Sequence, residues 1–77
     1  MKFNYDNETD ALYINFVDIP GVDSFEISPD YIVDVDDQGN VIGIEVLNVK
    51  GKVDFTQMIF NHIPTKDISF INQPMFG

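Results

Sequence analysis

Residues 34–45 read Asp34-Val35-Asp36-Asp37-Gln38-Gly39-Asn40-Val41-Ile42-Gly43-Ile44-Glu45, and their reading decides the fold. Asp34, Asp36, Gln38, Gly39 and Glu45 occupy positions 1, 3, 5, 6 and 12 of a calcium-loop template, with Val41 at the usual apolar position 8. The same letters spell strand, tight turn, strand. A calcium loop of this kind needs a helix on each side, whereas the flanks here, Tyr31-Ile32-Val33 and Val41-Ile42-Gly43-Ile44, are β-prone. A three-residue hairpin loop with Gly39 left-handed pairs Val35 with Val41, Val33 with Gly43 and Tyr31 with Glu45. Ile32 then pairs with Ile44 and Asp34 with Ile42 on the opposite face, so Asp34 and Glu45 diverge and cannot share an ion. The stretch therefore reads as a hairpin without a specific metal site. Asp34, Asp36 and Asp37 are the residual candidates for a loosely held ion.

The register places apolar residues on both faces near the middle, which predicts a central, covered hairpin. Gly43 becomes a notch facing Val33, to be filled by an aromatic ring. Glu45 becomes a mid-strand acid beside Tyr31, either wet or paired with Lys2, Lys50 or the Tyr31 hydroxyl.

A second hairpin precedes it. Phe3-Asn4-Tyr5 and residues 11–17 alternate apolar and polar around a turn at residues 7–10. Tyr5 falls opposite Leu12 and Phe3 opposite Ile14, and a one-residue slip would split this apolar set. Pro20-Gly21 marks a loop, residues 24–27 a short strand, and Ser28-Pro29-Asp30 its end.

Beyond residue 50 the pattern changes. Asp54 and Gln57 resemble a capping box, with Val53 and Met58 at the staple positions. Phe55, Met58, Ile59 and Ile63 recur at helical spacing, and Pro64 ends the run. A helix over 54–63 is expected, followed by a short strand at 68–71. The predicted fold is α+β, mostly β: two antiparallel hairpins in one curved sheet with a C-terminal helix packed on it. Residues 1–77 form one small domain, with a β-rich core over 1–50 and a helix plus extension over 51–77.

The chain has 77 residues, no cysteine and ten aromatic residues that are expected to carry much of the core. Thirteen acids face four lysines, for a net charge of −9. Eleven of those acids lie in residues 1–48, where Lys2 is the single cation. Such a surface repels a phosphate backbone, so no nucleic-acid partner is expected, and it attracts a basic protein. No apolar run approaches the ~20 residues of a membrane span, and no signal sequence is evident, so a cytoplasmic protein without a membrane partner is expected.

Catalytic groups are sparse. Asp6 and Asp10 flank the first turn, where short acids accept backbone N–H bonds more often than they perform acid–base work. His62, the single histidine, has no evident nucleophile or carboxylate beside it. No glycine-rich phosphate loop is present, and neither catalysis nor a cofactor is expected.

The pair of motifs Tyr5-Asp6-x-x-x-Asp10-Ala11-Leu12-Tyr13-Ile14 and Asp34-x-Asp36-x-x-Gly39-x-Val41-Ile42-Gly43-Ile44-Glu45-Val46-Leu47 resembles the small prokaryotic family "domain of unknown function 2283" over about residues 1–50. Some members of that family are encoded beside small ribonuclease-like toxins and are proposed antitoxins. The resemblance implies an antitoxin-like role, a non-enzymatic acidic module that binds a small basic toxin. No helix-turn-helix or basic patch accompanies it, which separates toxin binding from transcriptional control. Asp6, Asp10, Asp34, Asp36 and Glu45 are the candidates for contacting such a partner. The alternatives are a calcium- or small-ligand-binding protein built on 34–45, or a structural homo-oligomer that buries Phe70, Ile71, Met75 and Phe76.

Overall fold

The computed structural model describes residues 1–71. Five strands run β1 (Lys2–Asp6), β2 (Ala11–Asn15), β3 (Asp23–Ser28), β4 (Tyr31–Val35) and β5 (Val41–Leu47), followed by a 3-10 turn at Val49–Gly51. They form one antiparallel sheet in the order β1-β2-β5-β4-β3. The two expected hairpins are thus joined through β2 and β5, and β5 is the central strand.

The first hairpin has the expected register, with Tyr5 opposite Leu12 and Phe3 opposite Ile14. Its turn closes because the Asp6 carboxylate accepts the Glu8 N–H at 2.9 Å and Asp10 takes a left-handed conformation, φ 53°. Short polar side chains tolerate that conformation better than most residues do. The connection from β2 to β3 passes the far ends of β5 and β4. There the Phe16 N–H donates to the Ile42 carbonyl at 2.8 Å and the Val22 N–H to the Val35 carbonyl at 2.9 Å.

The second hairpin opens as expected and then departs from the simple register. Gly39 is left-handed at φ 81°, and Val35 stands opposite Val41. Ile42 is then accommodated as an extra residue, a β-bulge, so Asp34 faces Gly43, Val33 faces Ile44, Ile32 faces Glu45 and Tyr31 faces Val46. Because side chains alternate with period two, one inserted residue exchanges the faces of everything beyond it. Gly43 is therefore no notch beside Val33. A Cβ there would meet the Ile14 carbonyl oxygen of β2 at 2.8 Å, so glycine permits close approach of the neighbouring backbone.

The bulged register segregates the sheet. One face carries the row Phe3, Ile14, Ile44, Val33, Phe25 and, beside it, the row Tyr5, Leu12, Val46, Tyr31. Leu12, Val46 and the fully buried Val49 make the core cluster, flanked by Tyr5, Ile14, Tyr31, Ile44, Val53 and Phe55. Val49 is held over the sheet by its N–H, which donates to the Asp10 carbonyl at 3.1 Å. An ion pair between Lys52 and Asp30, 2.8 Å, ties the following residues to the turn before β4.

Among the described residues there is no α-helix, and residues 68–71 form no strand, so the fold is mostly β with neither expected C-terminal element. Val53 and Phe55 both pack on the sheet. At 100° per residue a helix would send positions two apart toward nearly opposite sides, whereas an extended strap sends both inward. The capping signal is real but local: Asp54 accepts the Thr56 N–H at 2.9 Å and the Thr56 hydroxyl at 2.6 Å, closing a turn that does not propagate. Met58, Ile59 and Ile63 face solvent, so no packing stabilises a stretch too short to be helical alone. The aromatic residues also contribute less core than expected: Phe3, Phe25, Phe60 and Phe70 are exposed. Met75 and Phe76 lie outside the described residues.

Candidate functional site

The opposite face of the sheet is polar. Across all five strands stand Lys2, Asn15, Gly43, Asp34 and Ser24 in one row, and Asn4, Tyr13, Glu45, Ile32 and Glu26 in the next. Glu45 is at the centre, on the central strand, between Tyr13 and Ile32. The bulge that turns Ile44 and Val46 toward the core turns Glu45 the other way and brings it beside Asp34. These two acids, expected to diverge, share a face, close enough for Asp34 to influence the Glu45 carboxyl. Gly43 adds no side chain to the row at this point.

Partial burial is the main influence that raises the Glu45 carboxyl above its ordinary pKa, and the hydrogen bond and negative charge of Asp34 push the same way. Glu45 therefore retains its proton more readily than an isolated glutamic acid does. Asp34 is further positioned by the Ser24 hydroxyl, which donates to Asp34 Oδ1 at 2.6 Å. The rows contain one cation, Lys2, at the β1 edge.

The other candidate acids are committed to local structure. Asp6 is held below its ordinary pKa mainly by the Glu8 N–H. Asp10 accepts the Tyr5 hydroxyl at 2.7 Å and the Lys50 N–H at 3.2 Å. The Tyr5 bond is the main cause of a lowered Asp10 pKa, and the same bond raises that of Tyr5. Asp36 Oδ1 accepts the Gln38 and Asn40 N–H groups, both at 2.9 Å, and Oδ2 accepts the Asn40 side-chain amide at 3.2 Å. The Asn40 N–H is the largest influence lowering the Asp36 pKa. Both Asp36 oxygens are thus engaged in closing the hairpin, and Asp37 is exposed in the same turn. Among the described residues no three metal-ligating side chains converge. His62 lies in the extended C-terminal segment with φ 57°, not in a helix end. Phe70 and Ile71 are exposed.

Two participants escaped the sequence reading, Ser24 and Tyr13. The alternation within β3 and β2 gives their face, but only the strand order and the bulge place them beside Asp34 and Glu45.

The fold and this face define a small single-sheet module, strapped on its apolar side by its own chain and open on an acidic polar side. Within that class the chain belongs to the family described as "Protein of unknown function (DUF2283)", whose model matches residues 2–50, spanning all five strands and the start of the 3-10 turn. No curated protein and no solved structure matches the chain. Among the described residues no helix is long and apolar enough to cross a membrane.

Proposed function

We propose that the protein is a non-enzymatic acidic binding module, an antitoxin-like partner of a small basic protein, and that the partner docks on the polar sheet face at Asp34 and Glu45. The observation that supports this reading is the placement of that pair at the middle of an exposed sheet face bearing Glu26 and Asp6 as well, with Lys2 its one cation. A planar guanidinium fits two adjacent carboxyl groups through parallel N–H bonds. Its positive charge also offsets the mutual repulsion of the two carboxylates. The calcium reading has less support, because Asp36 spends both oxygens on the hairpin turn.

The test is titration calorimetry of the full chain against the protein encoded by the adjacent gene, with a ribonuclease assay if that protein has such activity. Binding that weakens steeply with salt, and about tenfold or more on the double substitution D34N/E45Q, is expected. No binding, or binding indifferent to both salt and the substitutions, refutes the proposal.

A further inference from the structure

The apolar face of the sheet is only partly covered. Phe3, Ile14, Ile44, Val33 and Phe25 stand directly opposite one another across all five strands. At about 4.8 Å between strands this row is about 19 Å wide. Ile14 and Ile44 pack against the core cluster of Leu12, Val46 and Val49, but Phe3 and Phe25 at the two ends are 43% and 52% exposed. Past Phe55, residues 56–71 continue without helix or strand, and Ile59, Ile63, Ile68, Phe70 and Ile71 are each more than half exposed. One chain therefore presents an apolar row exposed at both ends and an uncovered apolar arm.

We propose that two copies of this chain exchange arms, residues 56–71 of each lying across the Phe3–Phe25 row of the other. Length permits it: sixteen extended residues reach about 50 Å at about 3.3 Å each, well beyond the width of the row. Charge selects it. Each chain carries −9, so two sheets repel one another, yet the arm holds only Lys66 and Asp67 as charged residues and approaches an acidic partner without net repulsion. The row is itself free of charge, which suits a neutral apolar segment better than the basic partner of the polar face. The arm's root is already seated on the correct side, with the Phe55 ring 5.3 Å from that of Tyr5, in the row adjoining Phe3. Reciprocal exchange closes on itself as a two-fold dimer and leaves both polar faces outward.

Sedimentation equilibrium of the full chain tests this. The expected mass is twice that of the chain. The row substitution Phe25→Asp and the arm substitutions Ile63→Asp with Phe70→Asp should each halve it. These positions are exposed, so each variant should keep its sheet, which circular dichroism checks; Phe3→Asp serves as a second row variant. Mixing row and arm variants should restore a 1:1 complex, because one supplies an intact arm and the other an intact row. Added salt should strengthen the dimer by screening the two acidic bodies, the reverse of its effect on a basic partner, so the two proposals fail separately. A monomeric full chain, a dimer that survives the arm substitutions, or a mixture that stays monomeric overturns arm exchange.

Discussion

Replacing Gly43 with alanine tests the register of the central strand, because the two registers demand opposite signs. In the unbulged hairpin Gly43 would face Val33, and a methyl group would fill a gap while removing the entropy cost of a strand glycine. That change would stabilise by about 0.5–1 kcal/mol. In the observed sheet the added Cβ would stand 2.8 Å from the Ile14 carbonyl oxygen, with the Asn15 Cα at 3.6 Å behind it. The nearest atom is backbone in the strand that joins the two hairpins, so it cannot swing aside as a side-chain tip would. Overpacking of this kind costs about 1–3 kcal/mol. At roughly 4–8 °C per kcal/mol for a domain of this size, Tm falls by about 5–20 °C. Urea unfolding followed by tyrosine fluorescence, with protein concentration held equal for both chains, measures the difference; the sequence contains no tryptophan. A G43A variant as stable as the parent, or more stable, would refute the bulge at Ile42 and with it the pairing of Asp34 and Glu45.

Val49→Ala removes two methyl groups from a fully buried side chain and leaves a cavity between the strap and the sheet. The loss should be about 2–3 kcal/mol, a large share of the roughly 4–12 kcal/mol available to a chain of this length; a change below about 0.5 kcal/mol by urea unfolding would place Val49 outside the core. Glu45→Gln should raise Tm at pH 7. The folded-state pKa of Glu45 lies above its ordinary 4.5, so the native protein holds the extra proton and loses stability as pH rises through that window. The advantage of the variant should vanish below 4.5, and a pH-independent difference in calorimetric Tm would contradict the raised Glu45 pKa. Asp6, Asp10 and Asp36 behave in the opposite sense. Their folded-state pKa values lie below the ordinary 3.8, so the stability they contribute is complete above that value and is lost as pH falls beneath it. Acid unfolding should begin there, and a sheet with unchanged Tm at pH 2 would contradict these bonds.

The first hairpin was legible because its evidence is local. A polar turn and two alternating segments admit one register that keeps Phe3, Tyr5, Leu12 and Ile14 together, and the structure has it. The second hairpin offered the same kind of signal and misled by one residue. Val41-Ile42-Gly43-Ile44 is apolar on both alternations, so pattern alone could not say which residue the strand would set aside. The presumed helix failed for a related reason: Val53 and Phe55 suit an extended strap as well as a helix start, and the buried surface that chooses between them belongs to Tyr5, Leu12 and Val46, far away in the chain.

The candidate site was legible in membership and hidden in geometry. Asp34 and Glu45 were both singled out, and the acidity of the first 48 residues predicted an acidic surface. Asp6, Asp10 and Asp36, acids of the same type in the same segment, differ from them only in having backbone N–H groups within reach, which follows from turn conformation rather than composition.

By itself the sequence determined a β-rich chain, the turns at Asp6–Asp10 and Asp36–Asn40, and the strong negative charge, because alternation, left-handed turn residues and charge are properties of a few neighbouring residues. Tertiary structure alone decided which side of the sheet each residue beyond Ile42 would occupy. The close approach of β2 to Gly43 and the packing of Val49 are contacts across the chain, and they select the bulged register that buries Val46 and turns Glu45 outward to Asp34.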